Sequence, residues 1–123
     1  MMIDRLLQLV SDPDPSTSSL THGAIVRRAR WLPALGGKLA GMREPAAAVT
    51  IGRTIVLHPD SAASDRLLRH ELEHVRQWRQ GRFAFPLRYI LAHIRHGYAA
   101  NPYEVAARRA ESPPERQPGN DEP

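Results

Sequence analysis

The residues best suited to chemistry are His70, Glu71 and His74, in the sequence HELEH. Two histidines four positions apart lie one turn apart on one face of an α-helix, with about 5–6 Å between their Cβ atoms. Both imidazoles can therefore reach one zinc ion at about 2.0–2.1 Å. Glu71 is rotated away by about 100°. It is poorly placed as a ligand but well placed to take a proton from a water that the metal activates.

The H-E-x-x-H pattern also occurs by chance in unrelated proteins, where the two histidines are only polar groups on a solvated helix. Three features favour a metal site in this chain. The motif falls in the middle of a predicted helix, its histidines border the apolar face of that helix, and a β segment precedes it at close range. We therefore predict zinc binding at these two histidines.

A catalytic zinc site needs three protein ligands and an open position. The chain has no cysteine, so the third ligand must be a histidine or a carboxylate. We favour Glu104, in the first turn of a helix that can pack across the motif helix. Asn101 and Glu104 also match an N-x-x-E capping box, and Glu104 and Arg108 have the spacing of an i,i+4 ion pair. Three other residues stay open as the third ligand: His93, His96 and Glu111.

The motif lies in the best-defined of the predicted helices. Its apolar residues fall on one face, and the two histidines lie at the margin of that face. Gly81 is a natural stop at its carboxyl end. Four residues could cap its amino end: Asp60, Ser61, Ser64 and Asp65.

Two further helices are predicted downstream. Pro86 suits the first turn of one helix and Gly97 ends it, and the last helix runs from about Asn101 to Glu111. The first of these helices carries an apolar stripe at spacings typical of a helix: Leu87, Ile90, Leu91 and Ile94.

The chain ahead of the motif helix predicts a small amount of β structure. Residues 46–57 read as two short β segments around Gly52, and Pro59 ends the second. Residues 24–31 fit a strand or a short helix. Three other segments are predicted to be a helical arm, a loop and irregular chain, respectively: 3–10, 11–19 and 33–45. The predicted fold class is α+β, mostly helical, with a small β-sheet or hairpin before the motif helix.

The composition suits one globular domain. Of the 123 residues, 41% are hydrophobic and 24% are charged. We predict a single domain over residues 1–111 and a disordered tail over 112–123, which has nothing to bury. No apolar run approaches the roughly 18 residues that span a membrane, and the chain is predicted to be soluble and cytoplasmic. The formal charge of +4 comes without a nucleic-acid motif, so nucleic-acid binding is not expected.

Three segments together resemble short bacterial proteins of the gluzincin branch of zincin-like metallopeptidases, a group that includes a domain family of unassigned function. They are RLLRHELEHVRQW at the motif, AAVTIGRTIVLHP upstream and NPYEVAARRAE downstream. The resemblance covers about residues 46–111. It implies a minimal zincin-like domain in which His70, His74 and Glu104 hold zinc and Glu71 is the general base. It also implies a peptide substrate paired with segment 54–57 as an edge strand.

The chain departs from the gluzincin pattern at three positions, and at one of them Arg76 stands where a hydrophobic residue is common. Gluzincins often carry an acidic residue four positions after the ligand glutamate to orient the first histidine, and Arg108 stands there instead. The orienting partner of His70 is therefore unassigned. Glu73 is charged where zincins avoid charge, but it falls on the solvent face of the helix.

The resemblance further implies a tyrosine or histidine that stabilises the oxyanion of the tetrahedral intermediate. We choose Tyr98, which lies just past a predicted helix end. The full set of candidates has five members: Tyr89, Tyr98, Tyr103, His93 and His96.

The leading hypothesis is a zinc-dependent peptidase that acts on a peptide or protein substrate. The alternative is a non-catalytic interaction module with a structural or vestigial zinc site, which docks to a larger protein partner. The small size of the chain favours this alternative, because little is left to wall a substrate cleft.

Overall fold

The structure is a computed structural model that describes residues 12–13, 23–31, 33, 37 and 47–112. The predicted arm at 3–10 lies outside the described residues, as does the predicted tail beyond Ser112. The strands precede the three helices whose bounds are described, which confirms the α+β class. The elements with described bounds are β1 (Asp12–Pro13), β2 (Ile25–Arg28), β3 (Ala48–Ile51), β4 (Thr54–Leu57), α1 (Asp65–Gly81), α2 (Ala84–Ala100) and α3 (Pro102–Ala110).

The strands form one mixed sheet in the order β1-β2-β4-β3. β3 and β4 make the predicted antiparallel hairpin, and Gly52 supplies the left-handed backbone of its turn with a φ of 63°. β2 pairs with β4 in parallel. All four residues of β4 are buried, so β4 is the centre of the small core.

This strand order corrects one prediction. Segment 54–57 was expected to be the edge strand that pairs with a substrate, but β4 is hydrogen-bonded on both sides. The edge strand beside it is β3. The sequence alone did not predict that β2 covers the other side of β4, because the two strands are far apart in the chain and are brought together by a crossover connection.

The structure resolves the assignments made for the N-terminal part of the chain. Residues 24–31 contain strand β2, which confirms the first of the two options. The loop predicted at 11–19 is wrong at Asp12–Pro13, which pairs with β2 at the edge of the sheet, where proline is tolerated. Irregular chain over 33–45 is wrong at Pro33 and Gly37, because both residues are helical.

α1 begins and ends with identifiable caps. Among the four predicted caps, Ser64 takes the role, because its hydroxyl accepts a 3.2 Å hydrogen bond from the backbone N–H of Leu67. At the other end Gly81 is the last helical residue. Arg82 then adopts a left-handed φ of 51°, and its N–H donates to the carbonyl of Trp78. The buried side of α1 places Val75 in the core formed by β4.

α2 packs on α1 and α3 through a different face from the one that the sequence favoured. Phe85 is buried, and its ring meets the rings of Trp78 and Tyr103 at centroid distances of 5.2 Å. Gly97 breaks the helical backbone with a φ of 77°, close to the predicted end. The predicted apolar stripe faces outward, with side chains that are 54–75% exposed: Leu87, Ile90, Leu91 and Ile94. Among the described residues, no helix has the length and apolar character needed to cross a membrane.

Candidate metal centre

His70, His74 and Glu104 lie together where α3 crosses α1. Each offers one ligand atom, and these atoms lie within 4.8 Å of one another. The Nε2 atoms of His70 and His74 are each 3.2 Å from an oxygen of Glu104. Two ligands of a tetrahedral zinc with bonds of 2.0–2.1 Å are about 3.3–3.4 Å apart. The three residues that the sequence singled out therefore place their ligand atoms close enough to share one metal ion.

Asn101 fixes the start of α3 and so directs Glu104 towards α1. Its side-chain oxygen accepts a 3.0 Å hydrogen bond from the N–H of Tyr103, and its amide donates to the carbonyl of Tyr89. Its own backbone N–H donates to the carbonyl of Tyr98, not to Glu104. Glu104 therefore does not close a capping box, and its carboxylate is left for the histidines.

The structure also argues against an ion pair at Glu104 and against a third ligand from α2. Arg108 donates to the carbonyl of Ala99 and makes no ion pair with Glu104, although both residues are described. His93 and His96, the two histidines of α2, are not part of the metal-ligating group. Glu111 approaches the site, but from the far side of the first histidine ring.

Glu111 sets the orientation of His70. Its Oε1 lies 3.0 Å from Nδ1 of His70, and its Oε2 accepts a 2.8 Å hydrogen bond from Arg66. The hydrogen bond from Arg66, with that from His70, lowers the pKa of Glu111. A charged carboxylate can only accept, so Nδ1–H of His70 must be the donor. Nε2 of His70 is then turned towards Glu104.

Gln77 sets the orientation of His74. Its amide nitrogen donates a 3.0 Å hydrogen bond to the backbone carbonyl of Tyr103. Its oxygen therefore faces Nδ1 of His74, at 2.9 Å, and must accept the ring proton. Both histidines thus present Nε2 to the same buried carboxylate, which is the arrangement that metal-ligating histidines adopt.

The three residues form a compact cluster of charge. Burial lowers the pKa of His74, but the hydrogen bond to Glu104 and the charges of Glu71 and Glu104 raise it to about 9. The pKa of His70 is also raised, chiefly by its hydrogen bond to Glu104 against the effect of burial. Burial raises the pKa of Glu104, yet the hydrogen bonds from the two histidines bring it below its usual range. A divalent cation can replace the Nε2 protons in such a cluster.

Glu71 lies beside the cluster and is held by the edge strand. It is only 5% exposed, and the hydroxyl of Thr50 on β3 donates a 2.6 Å hydrogen bond to its Oε2. Burial raises the pKa of Glu71, while the charge of His74 and the Thr50 hydrogen bond partly oppose this. Trp78 in turn fixes Thr50, because the indole N–H donates to the Thr50 carbonyl at 3.1 Å. A raised pKa suits a general base.

Two of the five candidate oxyanion donors approach Glu104. Tyr89 donates a 2.7 Å hydrogen bond to Oε1 of Glu104. The pKa of Tyr98 is raised to about 12 by burial and then by the charge of Glu104 and a hydrogen bond to it. Both phenols are therefore protonated at neutral pH. Tyr98, our choice from the sequence, has this environment in common with Tyr89.

Sequence reasoning gave no role to Thr50, Gln77 and Arg66. Thr50 lies in AAVTIGRTIVLHP, the upstream segment that carries the resemblance, and Gln77 follows His74 by three positions. Both residues therefore stand in segments that the sequence analysis had already singled out. The link between Arg66 and Glu111 joins residues that are 45 positions apart and has no local signal.

The comparison with known families gives one match. Residues 40–82 match a family model described as the eCIS core domain, where eCIS denotes an extracellular contractile injection system. The matched segment contains β3, β4 and α1, including His70, Glu71 and His74, but ends before Glu104. No curated protein and no solved structure matches the chain. The resemblance to zincin-like peptidases is not tested by this match and stays a prediction.

Proposed function

We propose that this chain is a zinc-dependent peptidase in which His70, His74 and Glu104 hold one zinc ion. The observation that carries the proposal is the orientation of the two histidine rings. Both donate from Nδ1 to a neighbouring oxygen and turn Nε2 towards one buried carboxylate. A set of two imidazoles and one carboxylate prefers zinc over calcium or magnesium. The absence of cysteine is compatible with the cytoplasmic location predicted from the sequence.

The chemistry of peptide hydrolysis divides among the residues around this site. Bound zinc would supply Lewis-acid polarisation and lower the pKa of water. Glu71 takes the proton from the attacking water and passes it to the leaving amine. Thr50 keeps the Glu71 carboxylate in place through the 2.6 Å hydrogen bond. A protonated phenol, with Tyr98 as the first choice and Tyr89 as the second, donates to the developing oxyanion.

The edge strand β3 is the surface on which an extended substrate can lie. The carbonyl of Ala47 accepts a hydrogen bond from the N–H of His58. Because pairing alternates along an antiparallel strand, the N–H and C=O groups of Ala48 and Thr50 point away from β4. The Thr50 carbonyl already accepts a hydrogen bond from the indole N–H of Trp78. A peptide would therefore pair mainly with Ala48 and the N–H of Thr50.

A second function, a non-catalytic zinc module in a larger assembly, is favoured by two observations. Glu71 is buried and has one carboxylate oxygen engaged by Thr50, which limits its access to a water. The matched family model describes a core domain of an injection system, which points to a larger complex. In this case zinc would tie α1 to α3 and no bond would be cleaved.

The substitution Glu71→Gln separates the two functions. For a peptidase, zinc content and fold should stay unchanged while cleavage of a mixed peptide library falls by about 10²–10⁴-fold, because the general base is lost. Glu73→Gln on the same helix is the matched control and should cleave like the wild type. Full cleavage by Glu71→Gln would refute the mechanism. A fully zinc-loaded wild type that cleaves nothing in the library would favour the non-catalytic module.

A further inference from the structure

A groove of about 640 Å³ runs beside the carboxyl-terminal half of α1 and faces the β3–β4 turn. Gly52 lies on the turn side. Val75 and Trp78 line the helix side, and Phe83 lies just beyond the helix end. Phe83 is 79% exposed, so this end of the groove presents an apolar ring to solvent that no described residue covers.

The groove is positively charged. Arg79 and Arg82 line it, and both are exposed. Neither forms an ion pair with a residue that the structure describes. Among the residues that the structure describes, none that lines the groove is acidic. The chain between Glu73 and Glu104 contains five arginines and no aspartate or glutamate. A cleft lined by one sign of charge concentrates ligands of the opposite sign.

The groove lies beyond the candidate catalytic site along α1. Glu71, Val75 and Trp78 follow one another at spacings of four and three, so they share one face of that helix, and Arg82 follows its last residue, Gly81. Trp78 also touches the site directly, because it holds the strand residue that binds Glu71. With a rise of 1.5 Å per residue, Arg79 lies about 12 Å beyond Glu71 along the helix axis and the last helical residue, Gly81, about 15 Å beyond it, with Arg82 directly after. That distance equals about four to five residues of an extended peptide.

We propose that this groove binds an acidic side chain of the peptide substrate, about four to five residues from the bond that is cleaved. The guanidinium groups of Arg79 and Arg82 would bind the carboxylate, where paired N–H donors match two oxygens. Trp78 and Phe83 would contact an apolar neighbour of that acidic residue. The assignment of the cleaved bond rests on the proposed peptidase function, whereas binding of the acidic segment does not.

The fluorescence of Trp78, which lines the groove, reports the binding of a peptide there. The chain has two tryptophans, and the other, Trp31, is half exposed, so Trp31→Phe leaves a single emitter in the groove. Glu71→Gln is added to prevent cleavage. The full-length protein is then titrated with a short Gly/Ser peptide that contains Leu-Glu-Glu, and with its Leu-Gln-Gln counterpart. We expect a change in Trp78 emission and about tenfold tighter binding of the acidic peptide, with an advantage that shrinks as salt rises.

Charge reversal identifies the residues responsible. Arg82→Glu should abolish the preference for the acidic peptide, while Arg109→Glu, an equivalent change at an exposed position on α3, should leave it unchanged. Circular dichroism confirms that each variant is folded. The proposal is overturned if both peptides bind equally, if Arg82→Glu keeps the preference, or if a single-stranded oligonucleotide displaces the acidic peptide at lower concentration than the peptide itself.

The two proposals fail in different ways. If the acidic peptide binds selectively but the protein with Glu71 intact cleaves no peptide, the groove assignment stands and the peptidase function fails. If cleavage occurs without any preference for acidic residues four to five positions from the cut, the groove assignment fails and the peptidase function stands.

Discussion

Nδ1–H of His70 donates a 3.0 Å hydrogen bond to Glu111, a residue 41 positions further along the chain. Arg66 binds the second oxygen of the same carboxylate at 2.8 Å. A carboxylate on the outer nitrogen of a metal-ligating histidine fixes its tautomer and raises its basicity as a ligand. Glu111 thus fills the role that the sequence left unassigned when Arg108 stood at the usual acidic position.

Glu111→Ala is expected to weaken zinc binding by about 10–100-fold, because His70 loses the partner that orients it. The measurement is competition for zinc against a chromophoric chelator. Arg66→Gln should have a smaller effect, since it changes only the partner of Glu111. Unchanged zinc affinity in Glu111→Ala would show that the Glu111 hydrogen bond has no part in the metal site.

Thr50→Val tests the support of the general base. The hydrogen bond from Thr50 holds the pKa of Glu71 down against burial, so its loss should raise that pKa further. Cleavage should then require higher pH, and the acid limb of the rate profile should move up while zinc content stays the same. Thr50→Ser keeps the hydroxyl and should restore the wild-type profile. An identical acid limb in wild type and Thr50→Val would argue against this role.

Removing the hydroxyl of Tyr89 or of Tyr98, the two tyrosines near Glu104, is expected to affect zinc affinity and kcat to different extents. Tyr89 donates to Glu104, so Tyr89→Phe should mainly lower zinc affinity. Tyr98→Phe should lower kcat by about 10²-fold, a larger loss than its effect on zinc affinity, because it removes a donor to the oxyanion. Steady-state kinetics and zinc competition on both variants make the comparison. A loss of kcat in Tyr89→Phe alone would transfer the oxyanion role to Tyr89.

The protein freed of metal by a chelator should lose stability as the pH rises. The folded-state pKa of His74 is raised from 6.5 to about 9, so its contribution is complete below pH 6.5 and is lost as the pH rises through about 9. Thermal unfolding in this range should show a falling Tm for the wild type and a flatter profile for His74→Gln. A metal-free wild type with constant Tm across this range would contradict the ion cluster.

The sequence was informative where the chemistry is local. The i,i+4 spacing of His70 and His74 lies within one helix and was predicted from the pattern of residues alone. The same pattern included Ser64 among four candidate caps. The sequence left Glu104 open between a cap and a ligand, and the packing of α3 on α1 turns its carboxylate towards the two histidines. Strand order and the packing face of α2 depend on contacts between distant segments, so the edge strand was misjudged and the exposure of the apolar stripe on α2 was not foreseen.

The zinc content of the purified protein is the most direct test of the site formed by His70, His74 and Glu104. Wild type and Glu104→Ala are purified without added metal, and the zinc per chain is measured by elemental mass spectrometry. We predict close to one zinc per chain in the wild type and a small fraction of that in Glu104→Ala, because one of three ligands is lost. Equal zinc in both proteins would contradict the three-residue site, and no zinc in the wild type even after reconstitution would contradict the metal centre altogether.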